Sequence, residues 1–374
     1  MDNKELLYKI AFASMRGVTP AMADEILNRT GSEREFFEMP EAQLVKLCGS
    51  SSRIYKRDYR DDRLAKAEAE VNFVTSNRIR AIYYKDAAYP YRLTHCDDAP
   101  LMLYGIGDCD FNDSRVVGVV GTRHATTYGL DFTVRLVEDL AAKVGNVIIV
   151  SGLAYGIDIA AHRAALKAGV PTVAVLAHGL NTIYPAEHRK SAADIVRQGG
   201  MLMTDYMSSD KIHKGNFVAR NRIVAGLCDC IVVAESASRG GALITAEIAS
   251  QYNRDVFALP GRTTDRYSAG CNRIIAANTA QLVTSAEDVA AAMRWPIRQT
   301  DNIQLTLPLD LSEDENSVIA ILTDRDTVTI SQFTAKLGWP ITKLMNMLID
   351  MEFRGLVSAI PGGSYRLGSA MARS

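Results

Sequence analysis

A chain of 374 residues with 42 basic and 43 acidic side chains has a net charge of −1, and its 48% hydrophobic and 23% charged residues are those of a globular protein. That balance excludes a disordered or collagen-like chain and a histone-like polycation, while leaving room for a local basic patch. No apolar run reaches the ~18 residues of a membrane span, and the N-terminal MDNKELLYKI lacks the basic and apolar regions of a secretory signal, so no membrane partner is expected. The length suits two or three domains. The six cysteines are scattered with no C-x-x-C pair. They are expected as reduced thiols of a cytoplasmic protein, with Cys228 and Cys230 as small apolar fillers beside a buried strand.

Residues 1–80 read as a small helical domain. Leu6, Leu7, Ile10 and Ala11 have helical spacing, as do Ala23, Ile26 and Leu27. Gly17-Val18-Thr19-Pro20 between them gives the region a SAM-like or helix-hairpin-helix-like look. In such hairpins a second glycine usually stands where this chain has Thr19, a residue poorly suited to positive φ, so helical packing is favoured there over anion binding. Residues 80–113 look like a connecting region of short strands and turns.

From 115 to 290 short β-branched runs (Val116–Val120, Val147–Val150, Thr172–Leu176, Ile231–Ala234, Val256–Leu259) alternate with helical stretches such as Gly129–Ala142 and Ile157–Ala168. Continuous apolar strands separated by helices predict a doubly wound, mostly parallel α/β sheet covered on both faces, with ligands at the carboxyl ends of its strands. This domain is placed at 81–295. A linker is expected over 296–311, and a winged-helix-like domain over 312–374. In the latter, Ser312 with Glu315 predicts a capping box. Pro340 opens a helix with Ile341, Leu344, Leu348 and Ile349 on one face, and Pro361-Gly362-Gly363 turns a β-hairpin. That helix holds only Lys343 and Arg354 as bases, against Asp350 and Glu352, so protein contact or packing ranks ahead of duplex reading.

The charge divides unevenly. Residues 1–113 hold 16 bases and 19 acids and residues 296–374 hold 7 and 9, whereas residues 114–295 hold 19 bases against 15 acids. The motifs fall in this positive segment. Gly121-Thr122-Arg123 follows the first strand, where a tight turn, a hydroxyl and backbone N–H groups suit an anion and Arg123 adds a bidentate phosphate donor. Ser151 and Gly152, in Ser151-Gly152-Leu153-Ala154-Tyr155-Gly156-Ile157-Asp158, offer a second phosphate cradle. Asp158 and His162 share a helix face, with capping and internal hydrogen bonding the favoured reading. His178 is expected to line a pocket, and Gly179 to allow close backbone approach. Residues 211–222 place Lys211, Lys214, Arg220 and Arg222 around Phe217 and Asn221, with no acid. Cations to track a phosphate backbone and a ring to stack a base are what single-stranded nucleic acid requires. Gly240-Gly241 and the later Leu259-Pro260-Gly261 and Ser268-Ala269-Gly270-Cys271-Asn272 put further glycines at strand ends.

In this order, G-T-R, S-G-L-A-x-G-I-D-x-x-A-H, G-L-x-x-I-Y-P, R-N-R-I-V-A-G-L, G-G-A-L-I-T-A and L-P-G then S-x-G-C-N, the series closely resembles the bacterial DprA/Smf family of DNA-processing proteins. The resemblance covers essentially 85–290. It implies a Rossmann-like binding domain rather than an enzyme, with no cofactor or metal. It also implies a cytoplasmic homodimer that binds and protects incoming single-stranded DNA and loads the RecA recombinase during natural transformation. By motif match Arg123 holds a phosphate, Lys214 and Phe217 supply a cation and a stacking face, and Arg220 and Arg222 either join them or anchor the loop. The chain departs from the family in having Val218-Ala219 before R-N-R, Gly240-Gly241-Ala242 in place of S-G-S, and Thr122 in G-T-R.

Two other readings compete. Lysine-decarboxylase-like nucleotide hydrolases carry a G-G-x-G-T-x-x-E loop, and Glu247 falls at its acidic position. Leu243 replaces the third glycine, however, and Thr245 comes one place late. A dinucleotide oxidoreductase is disfavoured because Gly121 is followed by Thr, Arg and His instead of G-x-G-x-x-G.

Overall fold

The computed structural model describes residues 3–49, 51–298, 311–325, 327–360 and 363–368, which fall into two compact units, Met1–Thr300 and Asp301–Ser374. The first opens with five helices, α1 (Asn3–Ala13), α2 (Pro20–Thr30), α3 (Glu33–Glu38), α4 (Glu41–Cys48) and α5 (Arg57–Ser76). Between α1 and α2, Gly17 sits at φ +83°. Thr19 is the N-cap of α2, its hydroxyl accepting from the Met22 N–H at 3.3 Å, so that oxygen is spent on the helix. Edge-to-face rings of Phe12, Phe36 and Phe37 fill the bundle. Arg60, with no exposed surface, donates to the carbonyls of Phe36, Phe37 and Met39 at 2.7–2.8 Å. A cation thus satisfies the carbonyls a helix leaves open at its C-terminus.

The chain then alternates as predicted: β1 (Arg80–Tyr83), β2 (Met102–Gly107), β3 (Arg115–Val120), α6 (Thr127–Asp139), β4 (Val147–Ser151), α7 (Ile157–Ala168), β5 (Thr172–Val175), α8 (Arg189–Arg197), β6 (Met201–Thr204), α9 (Lys214–Ala219), α10 (Asn221–Leu227), β7 (Cys230–Val233), α11 (Gly241–Gln251), β8 (Asp255–Ala258), α12 (Ala269–Ala276), β9 (Gln281–Leu282) and α13 (Ala286–Ala292). The nine strands form one sheet in the order β1-β2-β6-β5-β4-β3-β7-β8-β9. β3 to β9 pair in parallel, while β1 and β2 add an antiparallel extension beyond β6. Residues 80–113 are therefore part of the sheet as well as a connection. Successive side chains of β3 alternate between faces: Val116 and Val120 pack towards α10 and α11, Val117 and Val119 towards α6 and α7. The strand order reverses between β3 and β7, which is where a doubly wound sheet opens its ligand crevice.

Cys96, Cys228, Cys230 and Cys271 are buried, and burial raises their thiol pKa values, that of Cys271 to about 12; half-buried Cys109 is likewise raised to about 12. Thiolate is the reactive form, so a disulfide-exchange reagent at pH 8 is expected to modify Cys48 rapidly in the native protein and the other five only after denaturation. Rapid native reaction of several thiols would show a looser core.

His162 of α7 has no exposed surface. Thr172 donates its hydroxyl hydrogen to the Ile149 carbonyl (2.7 Å), so it accepts from His162 Nδ1 (2.7 Å), which leaves Nε2 without a partner among the described residues. Protonation would bury a second N–H with no acceptor. Burial lowers this histidine from its ordinary 6.5 to about 3. The unfolded chain then binds the extra proton between these values, so the contribution to stability is complete above pH 6.5 and is lost as pH falls towards 3, by up to about 1.4 kcal/mol per pH unit. Urea midpoints between pH 4 and 7 check this: His162→Asn is expected to flatten the slope, and an unchanged slope would contradict the assignment.

The second unit holds α14 (Glu313–Thr323), β10 (Val328–Thr329), α15 (Ile330–Leu337), α16 (Ile341–Phe353), β11 (Val357–Ile360) and β12 (Ser364–Leu367). Its small sheet has the order β10-β12-β11, a winged helix. The capping box of Ser312 and Glu315 forms as expected. The buried face of α16 is Leu344, Leu348 and Met351; Ile341 and Ile349 are 57% and 44% exposed. The expected face is thus corrected: Met351 takes the place of Ile349, which lies round the helix from Leu344, while Ile341 is on the stripe but stands in the open first turn. Of the expected linker, 299–310 lie outside the described residues, as do Pro361 and Gly362 of the turn.

Candidate nucleic-acid interface

The loops after β3, β4, β5, β6, β7 and β8 share the carboxyl edge of the parallel sheet. Two of them interlock. Gly156 sits at φ +74°, and a Cβ there would lie 2.2 Å from the Thr122 carbonyl oxygen. The Ile157 N–H donates to the same carbonyl at 3.3 Å. A Cβ at Gly121 would meet Ile157 Cγ1 at 2.4 Å. These glycines join the turn after β3 to the start of α7.

The two expected backbone cradles are filled from within. At the N-terminus of α6, Glu235 accepts from the Thr126 N–H (2.8 Å) and hydroxyl (2.5 Å), while its own carbonyl accepts from the Thr122 N–H (2.7 Å). The Thr122 hydroxyl accepts from the His124 N–H at 3.1 Å. A carboxylate therefore occupies the switch-point crevice where a phosphate would sit. At the start of α7, Asp158 accepts from the N–H groups of Gly152 (3.1 Å) and Ala154 (3.4 Å), and buried Ser151 donates to the Val119 carbonyl at 2.6 Å. Burial pushes the Asp158 carboxyl up; the nearby Arg220 charge and these N–H groups oppose that rise. The Thr122 hydroxyl, Ser151 and the Gly152 N–H thus carry internal hydrogen bonds, and Asp158 and His162 have the internal roles expected of them.

Outside this filled layer lies a cluster of side chains. Arg123 is exposed and its guanidinium carbon is 5.7 Å from the centre of the Phe217 ring. The Tyr184 ring, half exposed, meets Phe217 at 5.5 Å and an interplanar angle of 62°. Lys214 is exposed one turn before Phe217 on α9, and Lys211 is exposed just ahead of it. Three loops, after β3, β5 and β6, thus bring a cation, two rings and two lysines together.

The other two basic residues of the 211–222 run are elsewhere. Arg220 is 5% exposed, and Nη1 donates to the carbonyls of Gly152 (2.8 Å) and Val175. A Cβ on Gly152 would meet that guanidinium at 2.4 Å. Arg222 donates to Asp205 (2.5 Å) and to the Asp98 carbonyl. Asn221 donates to the Gly241 carbonyl at 3.3 Å. All three hold α10 against neighbouring loops, which is the anchoring alternative for Arg220 and Arg222. Gly179 is pressed against the Met207 carbonyl, where a Cβ would come within 2.5 Å. Gly240 and Gly241 open α11, and both are exposed.

His178 is buried, with Nδ1 hydrogen-bonded to the Gly179 carbonyl (2.9 Å) and Nε2 accepting from the Tyr184 N–H (3.2 Å); it sets the loop that carries Tyr184. Burial lowers its pKa, in keeping with a neutral ring. Glu70 of α5 reaches across from the helical region and accepts from the Ser208 N–H (2.9 Å) and hydroxyl (2.5 Å), pinning the loop that leads to Lys211. Tyr184, Glu235 and Glu70 are the residues that sequence reasoning misses. Tyr184 stood within the quoted I-Y-P stretch, but the other two act over 109 and 138 positions of chain and left no local signal. A separate groove of about 700 Å³ runs between α11 and α12, lined by Leu243, Ile244, Glu247, Arg273 and Ile274 among others. Leu243, which stands where the nucleotide-hydrolase loop has its third glycine, is buried, and Glu247 lies on the exposed face of α11.

This fold and edge define a Rossmann-like module, with its phosphate cradles occupied by its own carboxylates, followed by a winged helix. The chain belongs to the family of DNA recombination-mediator protein A, whose model matches residues 80–294, and the DprA winged-helix model matches residues 305–363. It is 40% identical over 210 residues to the DNA processing protein DprA of Streptococcus pneumoniae, covering 56% of this chain and 73% of that one. The X-ray structure of DprA from Streptococcus pneumoniae superposes with a TM-score of 0.64 at 32% identity, over 78% of this chain and 98% of that one. DNA processing protein A of Helicobacter pylori, a protein with a described single-stranded DNA binding mode, matches with a TM-score of 0.52 at 28% identity, over 58% and 96%. Among the described residues no helix is long and apolar enough to cross a membrane.

Proposed function

We propose that the protein binds single-stranded DNA, with little sequence preference, across the carboxyl edge of its sheet. The observation that carries this is the contact of Arg123, Phe217 and Tyr184, with Lys214 and Lys211 beside them, outside a crevice already closed by Glu235. Arg123 and the lysines pair with phosphates. Phe217 and Tyr184 stack bases, whose π-faces are common to all sequences. The family and the DNA-binding relative from Helicobacter pylori support the same reading.

The cellular role that follows is protection of incoming strands and delivery of RecA to them, by a cytoplasmic homodimer without enzymatic turnover. Exposed Ile244 beside the α11–α12 groove and exposed Leu282 on the short edge strand β9 are where a second copy would find apolar surface. A gel-shift titration of single- against double-stranded oligonucleotides across a salt series tests the binding. Preference for single strands and a log–log salt slope near −0.7 per phosphate contact are expected; equal affinity for duplex would overturn the reading. Release of ribose phosphate from nucleoside monophosphates would favour the hydrolase instead.

A further inference from the structure

We propose that the single-stranded DNA track continues past Arg123 onto a second stacking platform on the β7–β8 side of the α6 N-terminus, built by His124, Tyr267 and Arg266. This rests on the reading that the carboxyl edge binds single-stranded DNA. The exposed His124 ring lies over the half-buried Tyr267 ring with centroids 6.3 Å apart and an interplanar angle of 27°. The guanidinium carbon of exposed Arg266 is 5.7 Å from the centre of the Tyr267 ring. The loop after β3 is thus flanked twice: Arg123 reaches Phe217 on one side, and the next residue, His124, reaches Tyr267 on the other.

The second platform is built on rigid backbone. The Tyr267 carbonyl accepts from the Ser236 N–H at 2.7 Å, and the Gly270 N–H donates to the Ser236 carbonyl at 2.8 Å. Asn272 holds Gly261 through both its N–H (3.1 Å) and its carbonyl (2.9 Å). Tyr128 of α6, itself exposed, donates its hydroxyl to the Pro260 carbonyl at 2.7 Å, tying the loop after β8 to the helix that follows Arg123. One acid, Asp265, is exposed in the same loop. Aromatic faces pre-set on a pinned loop, with a cation beside them, meet the requirements of a base-stacking site, and stacking of one base contributes severalfold or more to affinity. The chain of Tyr184, Phe217, Arg123, His124, Tyr267 and Arg266 crosses the switch point without entering the crevice that Glu235 fills.

The test is the affinity of thymidine oligonucleotides of increasing length for the full chain, with Tyr267→Ala, His124→Ala and Arg266→Glu compared with Arg123→Ala. On the wild type, affinity should climb with length until both platforms are covered. Each platform variant should lose about tenfold on long oligonucleotides and nothing on the shortest that bind, whereas Arg123→Ala should lose affinity at every length. Ultraviolet crosslinking of a 5-iododeoxyuridine oligonucleotide to the wild type should place an adduct on Tyr267 or His124. If Arg123→Ala weakens binding while all three platform variants match the wild type at every length and no adduct forms, the second platform is wrong and the first stands. If the wild type binds no oligonucleotide, the underlying reading fails. Since Tyr267→Ala alters a packed loop, Arg266→Glu, fully on the surface, decides the matter should that variant melt early.

Discussion

Arg123→Ala is expected to weaken single-stranded DNA binding by about tenfold, near 1.4 kcal/mol, with no change in melting temperature. Phe217→Ala should cost about 1–3 kcal/mol, the range for loss of one stacked base. Arg123 is exposed, its side chain rests on Phe217 at 5.7 Å, and no buried group depends on it for charge. Its removal subtracts a phosphate partner and a cation from the edge and leaves the core intact. The salt slope should flatten by about 0.7 in the same titration, as one phosphate contact is lost. Wild-type affinity and slope for Arg123→Ala would remove it from the interface. Because Tyr184 contacts the same ring at 5.5 Å, Phe217→Ala and Tyr184→Ala should not be additive, their combined effect being smaller than the sum.

Arg220→Ala should behave in the opposite way. Its guanidinium is buried, ties β5 to the loop after β4 through the Val175 and Gly152 carbonyls, and its charge opposes the upward shift of the buried Asp158 carboxyl. Its removal leaves the buried Val175 carbonyl and the half-buried Gly152 carbonyl without their donor, at about 1–3 kcal/mol each. For a domain of this size each kcal/mol corresponds to roughly 2–4 °C, so a fall in melting temperature of the order of 10 °C is expected. DNA affinity should drop through displacement of α9, with the salt slope of whatever binding remains unchanged. An unaltered melting temperature together with a flatter slope would return Arg220 to the interface. The pair of variants separates two arginines that the local sequence presents alike: one works on the ligand, the other on the scaffold.

The same distinction marks how far each part of the molecule could be read in advance. The alternation of β-branched runs with helices, from Val116–Val120 to Val256–Leu259, locates five strands to within one or two residues because a buried parallel strand must be apolar throughout. The capping box at Ser312 was equally legible, since its two partners are three residues apart and their bonds are local. β6, four residues long, and the antiparallel β1 and β2 were less so: their place depends on which edge of the sheet remains open.

By itself the sequence determined the class of fold, the family motifs, and the positive central segment hidden within a net charge of −1. Those properties reside in local spacing and composition, which survive without coordinates. Only the tertiary structure decided which charges remain free. Of the four formal cations between 211 and 222, two turn inward, because carbonyls of distant strands and Asp205 offer them better partners than water. The glycine turns that look like phosphate cradles are occupied, because Glu235 and Asp158 are delivered to them by folding. Burial and long-range hydrogen bonding make those choices, and neither can be computed from neighbours in the chain. The proposed binding surface is therefore the thin outer layer of rings and cations that the interior does not take up.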